Sequence, residues 1–561
     1  MTQIIECVPN FSEGHDLQII KQITDVIVSV DGVKLLDVDP GKATNRTVVT
    51  FVGEPNAVLE AAYLAIKKAS EIIDMSKHKG EHPRMGATDV CPLIPVSGIT
   101  MEETVAFAKM LGKRVGENLN IPVYLYENAQ PNKERNNLSV IRAGEYEGFF
   151  KKIKQREWVP DFGPTEFNEK AGGTVIGARD FLIAYNVNLN TKSVRLANSV
   201  AFDIREAGRV LREGNPITGK IIKDADGNEV RVPGTLKACK AIGWFIEEYN
   251  IAQISINLTN YKITSIHQAF DEVCKSAEKR GMRVTGSELV GLIPLEALLS
   301  AGRHYLTKQK RSVGVSEEEL IQIAIKSLGL DELAPFDANN KIIEYKLKND
   351  NNEKLIGMNL RGFANETASE SPAPGGGSIS AYVGSLGASL GTMVANLSAG
   401  KRGWEEQIQY FSEWADKGQM IKDKLLKAVD EDTHAFNQIM LGFGLPKATE
   451  DEKAARILAI DNATKYACEV PFKVMQTASE SLNLLSAMIE KGNQNSVTDA
   501  GVGVLCVKTA VRGAYFNVMV NAKDLKDKTF ADNLIAKAKN LLANNHAKAD
   551  ELLTKVEAAI A

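Results

Sequence analysis

Twelve consecutive residues concentrate the chemistry of this chain. The stretch His78-Lys-Gly-Glu-His-Pro-Arg-Met-Gly-Ala-Thr-Asp89 holds two histidines, a glutamate, an arginine and an aspartate, in a sequence with only seven histidines. Gly80, Pro83 and Gly86 prevent a regular helix or strand through these positions. Imidazole is the side chain suited to moving protons near neutral pH. The stretch therefore predicts a catalytic loop centred on His82, with Arg84 and Asp89 as further candidates. His78-x-x-Glu81-His82 also fits H-x-x-E-H, an inverted zinc-peptidase pattern. That pattern needs a helix, so that residues four apart can share one metal. Gly80 and Pro83 oppose a helix and no third ligand stands nearby, so a zinc-dependent hydrolase is the lesser alternative. Histidines without a role on an exposed loop are the plain structural alternative.

Two further stretches lie in the second half. Ser371-Pro-Ala-Pro-Gly-Gly-Gly-Ser378 precedes a helical pattern, so Gly375, Gly376 and Gly377 could offer backbone N–H groups to an anion or a carbonyl. The same glycines could serve as a flexible joint. Val429-Asp-Glu-Asp-Thr-His-Ala-Phe436 sets Asp430, Glu431 and Asp432 on a predicted helix. Adjacent carboxylates usually form a solvated face, but one turned into a bundle would have a raised pKa, as a general acid needs. Asp499, in Ser496-Val-Thr-Asp-Ala-Gly501, suits a helix cap or a site. Asp39 closes a predicted strand, Val33–Asp39.

The elements that must position these groups change class along the chain. Predicted strands at Val33–Asp39, Asn45–Val52 and Val90–Val96 alternate with helices at Leu17–Val30 and Glu54–Ile73, which makes the first part α/β. Phe181–Leu189 and Gln253–Leu258 are strands of a second α/β unit, followed by a helix over Ser265–Arg280. Leu292-Ile-Pro294 echoes Leu93-Ile-Pro95, a hint of two similarly built subdomains. Between them Ile221–Val232 predicts a hairpin turning at Asp226-Gly227. From 330 to 361 the sequence is polar and linker-like around one short apolar segment, Ile342–Tyr345, and beyond it Ala, Leu, Lys and Glu repeat with helical period. The expected limits are 1–180 and 181–329 for two α/β subdomains, 330–361 for a linker and 362–561 for an all-α helical bundle.

The 561 residues are 44% hydrophobic and 25% charged, the balance of a globular protein, and no apolar run approaches the roughly 18 residues of a membrane helix. The N-terminus has no signal-peptide pattern, and six scattered cysteines suit a reducing cytoplasm. A net charge of -4 argues against nucleic-acid binding. The basic run Lys151–Arg156 suits a solvated helix face.

In register along the whole chain, these motifs resemble the formimidoyltransferase-cyclodeaminase family. The carriers are CVPNFSEG (Cys7–Gly14), GEHPRMGATDVCPLIP (Gly80–Pro95), PDFGP (Pro160–Pro164), GARDFLIAYNVNL (Gly177–Leu189), APGGGS (Ala373–Ser378), VDEDTHAF (Val429–Phe436) and GAYFNV (Gly513–Val518). The resemblance implies a bifunctional enzyme of histidine degradation. Its α/β half would move the formimidoyl group from N-formimidoyl-L-glutamate to N5 of tetrahydrofolate, with His82 as acid/base. Its helical half would close the ring to 5,10-methenyltetrahydrofolate and release ammonia, with Asp432 catalytic. The resemblance also implies folate contacts at Gly163, Pro164, Thr165, Glu166, Phe167, Asn168, Glu169, Lys170, Ala171 and Gly172, tetrahydrofolate as co-substrate with a polyglutamate tail admitted, no metal, and a homo-oligomer. A folate-binding protein with a single active half is the other alternative.

Overall fold

The computed structural model describes residues 3–42, 44–80, 82–215, 218–347, 355–523 and 525–561. Glu81 and the polar run Lys348–Lys354 lie outside the described residues. The chain forms two compact units, one of residues 1–301 with 324–347 and one of 302–323 with 348–561. These differ from the expected limits in two places. Residues 302–323 group with the helical unit, and 330–347, expected in the linker, group with the first. Burial explains the second difference, since Ile342 and Ile343 are almost fully inaccessible.

The first subdomain begins with β1 (Ile4–Cys7), β2 (Asn10–Phe11), α1 (Leu17–Val28), β3 (Val33–Gly41) and β4 (Arg46–Gly53). It continues with α2 (Pro55–Ile72), β5 (Thr88–Ser97), α3 (Met101–Leu119), β6 (Val123–Glu127) and β7 (Thr174–Ala178). α2 forms where Pro55 fits the first helical turn and Val58, Ala62 and Ile66 recur on one buried face. α3 starts at a capping box in which Thr100 and Glu103 satisfy each other's backbone N–H. The strands run in the order β3-β4-β1-β5-β7-β6, antiparallel from β3 to β5 and parallel beyond it. β2 continues β1 between the same neighbours, β4 and β5. One face, with Ile5, Val49, Phe51, Cys91 and Leu93, packs on the three helices. Complete burial of a side chain such as Ile66 is worth roughly 1.5–3 kcal/mol.

The second subdomain repeats that plan. β8 (Ile183–Leu189), α4 (Val194–Ile204), β9 (Cys239–Ile246), β10 (Ile251–Leu258), α5 (Ile266–Glu278) and β11 (Val284–Val290) form an antiparallel sheet ordered β9-β10-β8-β11. Counting β1 and β2 as one strand, both subdomains are β-α-β-β-α-β with their strands in the order second, third, first, fourth. The two L-I-P tripeptides mark equivalent places, Leu93–Pro95 within the fourth strand of one and Leu292–Pro294 just after that of the other. The hairpin before β9 turns at Gly227 as expected, with Arg231–Val232 pairing Arg209–Val210.

The second unit contains α6 (Gly376–Ala399), α7 (Ile408–Gly444), α8 (Glu450–Lys491), α9 (Val497–Lys523) and α10 (Lys528–Ile560). α6 runs through the bundle's core, where an added Cβ at Gly387 would lie 2.9 Å from the Gly503 carbonyl. Each interior glycine costs a helix about 1 kcal/mol relative to alanine. The close crossing of α6 and α9 is what that cost permits.

Candidate functional sites

The sheet faces not covered by helices line one cavity of about 650 Å³ within the first unit. Glu6, Asn10, Asp39, Arg46, Thr50 and His82 reach it from the first subdomain, and Asn186, Lys240, Trp244, Gln253 and Glu288 from the second. The alternation of β10, with Gln253, Ser255 and Asn257 polar, therefore turns its polar side to the cavity.

The histidine loop is irregular, as the glycines and proline dictate, and is held from several sides. Asn45, at φ 45°, donates from Nδ2 to the Lys79 carbonyl at 2.7 Å, and its own carbonyl accepts from His78 Nε2 at 2.9 Å. His78 Nδ1 then accepts from Arg84 Nε at 3.2 Å. Arg84 is buried and bound by Glu145 at 3.0 Å and Glu147 at 2.6 Å. At Gly80 a Cβ would sit 2.5 Å from the Thr44 carbonyl, and at Gly86 2.5 Å from that of Ala171, so backbone closes on both. Asp89 is fully buried, accepts from the Met85 N–H at 3.0 Å and pairs with Arg142. Thus Arg84, Asp89 and His78 brace the loop, while His82 opens into the cavity.

His82 is half-buried. Its Nδ1–H donates to the Pro83 carbonyl at 2.7 Å, which leaves Nε2 to accept from Arg46. Burial and the charges of Arg46 and Arg142 push its pKa down to about 2, so the ring is neutral. Asp39 shares the cavity and accepts from the Gly291 N–H at 3.0 Å. Glu6, 3% exposed, is raised to about 7 by burial, with Arg179 opposing the shift. Gln253 donates to Asn188 at 2.9 Å and Glu288 at 3.3 Å, and accepts from Trp244 at 3.2 Å.

None of the ten residues Gly163–Gly172 lines the cavity. They stand behind the histidine loop instead. Phe167 packs on Tyr146, Phe149 and Phe150, Asn168 Oδ1 accepts from the Ala171 N–H at 2.9 Å, and Gly172 bridges Gly86. Thr165, Glu166 and Glu169 are exposed, and Lys170 caps the end of α2 through the Glu71 carbonyl at 2.5 Å. Gly163 and Gly172 have positive φ and abut backbone, so both positions require glycine.

In the helical unit the three adjacent acids point three ways. Asp430 accepts from the Leu355 N–H at 2.8 Å and Glu431 from the Tyr466 hydroxyl at 2.9 Å, whereas Asp432 meets the N-terminus of α6. There the backbone N–H of fully buried Ser378 donates to its carboxylate, and the Ser378 hydroxyl is shared between the Val429 carbonyl at 2.9 Å and the carboxylate at 3.1 Å. These donors favour the anion, yet burial outweighs them and the Asp432 pKa is raised. A Cβ at Gly377 would lie 2.1 Å from Asp432 Oδ1, so the glycine makes room for the acid. Gly375 is the N-cap, and Gly376 faces Asn517 of the GAYFNV motif. Asp499 is in the first turn of α9, about 27 Å along the helix from Asn517 at 1.5 Å per residue, and so apart from this group.

Sequence reasoning missed Arg46, Glu6, Gln253 and Glu288. All lie in strands or at their ends, where a polar residue on an alternating pattern looks like one facing solvent. The described residues of the H-x-x-E-H stretch are not helical, and its two imidazoles have different partners. Among the described residues, no group of three or more His, Cys, Asp or Glu converges as metal ligands would. The cysteines are free thiols, and the distant Cys7 and Cys91 meet at 3.5 Å across β1 and β5. Among the described residues, no helix is long and apolar enough to cross a membrane.

Three family models match in succession. They are the formiminotransferase domain's N-terminal subdomain at residues 4–179, the formiminotransferase domain at 184–348, and formiminotransferase-cyclodeaminase at 359–540. The chain is 43% identical to the formimidoyltransferase-cyclodeaminase of Mus musculus over 559 residues, 100% of this chain and 99% of that one. It is 44% identical to the glutamate formimidoyltransferase of Thermoplasma acidophilum over 305 residues, 54% of this chain and 92% of that one. It is 36% identical to the methenyltetrahydrofolate cyclohydrolase of Methylorubrum extorquens over 198 residues, 35% of this chain and 95% of that one. With α/β and all-α parts matched in order and end to end, the chain belongs to the formimidoyltransferase-cyclodeaminase family.

Proposed function

We propose that the cavity of the first unit carries out formimidoyl transfer from N-formimidoyl-L-glutamate to N5 of tetrahydrofolate with His82 as acid/base, and that Asp432 serves the cyclodeaminase step. The observation that carries the reading is a neutral, anchored imidazole opening into a polar cavity of about 650 Å³, within the range of small-molecule sites. As N5 attacks the amidine carbon its proton passes to His82 Nε2. The same proton then passes to the departing glutamate nitrogen, so one imidazole closes the cycle. In the helical unit N10 attacks the formimidoyl carbon and ammonia leaves. A carboxyl with a raised pKa, as Asp432 has, suits protonation of that leaving nitrogen.

Tetrahydrofolate is the co-substrate in this scheme and no step needs a metal. Folate contacts at Gly163–Gly172 rest on the resemblance alone. Six free thiols fit a cytoplasmic location. A homo-oligomer is supported by exposed apolar residues on α6 (Leu386, Met393, Leu397) and on neighbouring α9 (Val502, Leu505). A monomer by light scattering would refute it.

The test is a coupled assay with formimidoylglutamate and tetrahydrofolate that follows methenyltetrahydrofolate absorbance and ammonia. His82→Ala abolishes transfer, and Asp432→Asn transfers but does not cyclise. Transfer by His82→Ala at more than about a hundredth of the wild-type rate, within the usual contribution of a general base, overturns the assignment.

A further inference from the structure

The lone pair that a general base must offer is covered in this structure. His82 Nδ1–H is committed to the Pro83 carbonyl, and Nε2 faces the Arg46 guanidinium. Arg46 differs from the other arginines around the loop. Arg142 is neutralised by buried Asp89, and Arg84 by Glu145 and Glu147. Among the described residues Arg46 forms no ion pair with a carboxylate, and its Nε is buried without a hydrogen-bond partner. Asp39 on β3 and Asp89 on β5 act on it only at longer range. A guanidinium whose one side-chain partner is a neutral imidazole is an incompletely satisfied cation, and it lines the same cavity as His82.

We propose that Arg46 is a carboxylate-binding positioning residue that covers the His82 lone pair in the empty cavity and uncovers it when a substrate carboxylate draws the guanidinium away. This rests on His82 being the acid/base of transfer. The donor substrate carries two carboxylates, and a guanidinium binds carboxylate bidentately far better than it binds one imidazole nitrogen. The imidazole thus becomes a competent base only with the donor in place. The charged groups around it are Arg46 at the start of β4 and Arg142, with Asp89 and Asp39 beyond them. When the guanidinium leaves Nε2, the largest removable charge depressing the ring goes with it. N5 of the folate then gives its proton to Nε2, the imidazolium keeps its Nδ1–H bond to Pro83, and the proton passes on to the glutamate nitrogen. Departure of glutamate returns Arg46 to the imidazole.

The test follows the His82 ring directly in the full chain labelled with ¹³Cε1-histidine, the signal being assigned by its loss in His82→Ala. In wild type the ring stays neutral to below pH 5. L-glutamate raises its titration point by at least one pH unit, and the uncharged diamide of glutaric acid does not. In Arg46→Gln the ring titrates at least one pH unit above wild type with or without glutamate, still short of the free-histidine value of about 6.5 because burial and Arg142 continue to depress it. Arg46→Lys, which keeps the charge but not the fork, lies between the two. In the transferase assay Arg46→Gln raises KM for formimidoylglutamate at least 10-fold, more than it changes KM for tetrahydrofolate. The proposal is overturned if glutamate leaves the wild-type His82 signal unmoved, or if Arg46→Gln titrates as wild type does. Retention of transfer by His82→Ala would instead sink the acid/base assignment, while the ring titration still reported on the Arg46 contact.

Discussion

Gly377→Ala separates two expectations that usually coincide. Gly377 is within the first turn of α6, where alanine is the better helix former by about 1 kcal/mol. Judged by helix propensity, the substitution is neutral or stabilising. The added Cβ, however, would lie 2.1 Å from Asp432 Oδ1, and real Cβ contacts are seldom closer than 3.0–3.4 Å. The carboxylate must therefore retreat by about 1 Å, away from the Ser378 hydroxyl that now donates to it at 3.1 Å. A misplacement of that size at a reacting group costs on the order of 100-fold in rate, or about 2.7 kcal/mol of barrier. The assay is ammonia release from supplied 5-formimidoyltetrahydrofolate, with transferase turnover as internal control. Gly384→Ala is the matched control within α6, since its Cβ would meet only side-chain carbons at 3.3–3.4 Å. The expected result is a loss of about 100-fold in cyclisation for Gly377→Ala with transferase turnover unchanged, and cyclisation within a few-fold of wild type for Gly384→Ala. Cyclisation by Gly377→Ala within three-fold of wild type would refute the role given to Asp432 or the tightness of its seat.

Asp432→Asn also has a stability signature. Because burial raises the folded-state pKa above the ordinary 3.8, folding binds a proton more tightly there, so the wild type is penalised above the folded value and not below 3.8. Thermal denaturation is expected to show Asp432→Asn more stable than wild type at pH 8, with the gain fading as pH falls to 4; a gain that grew on acidification would reverse the sign. Asp89→Asn leaves Arg142 unpaired against a buried site and is expected to destabilise the first unit by roughly 3–5 kcal/mol. A fall of less than 1 kcal/mol in urea denaturation would show that the pair is dispensable.

Much of the fold was legible because period and punctuation agree. Val58, Ala62 and Ile66 repeat at helical spacing between Pro55 and a chain break in pattern, and that helix is present to within a residue or two. Gly80, Pro83 and Gly86 likewise announced an irregular loop. The cavity was not legible, since it is walled by strands that pair from distant parts of the chain. Gln253 and Glu288 meet only because β10 and β11 flank β8. Nor could the sequence tell which of Asp430, Glu431 and Asp432 turns inward. Successive helical positions point about 100° apart, and the choice is made by what packs there. Ile342 and Ile343 stand out as an apolar pair within a polar stretch, but their burial in the first unit depends on partners distant in the chain.

The doubled β-α-β-β-α-β plan has a consequence for where chemistry can be added. In the first copy, α2 and the fourth strand are joined by residues 73–87, fifteen positions that include the whole histidine loop before Thr88. In the second copy, α5 and the fourth strand are joined by residues 279–283, five positions. The same corner of one scaffold thus exists in an equipped and a bare version within a single chain. The bare corner shows that the plan closes without the loop, so on the role proposed for His82 the catalytic equipment is an accessory to the fold rather than a part of its foundation. A chimera carrying the short corner in place of 73–87 is the natural inert scaffold, and the long corner is a graft that other chains of this plan could receive.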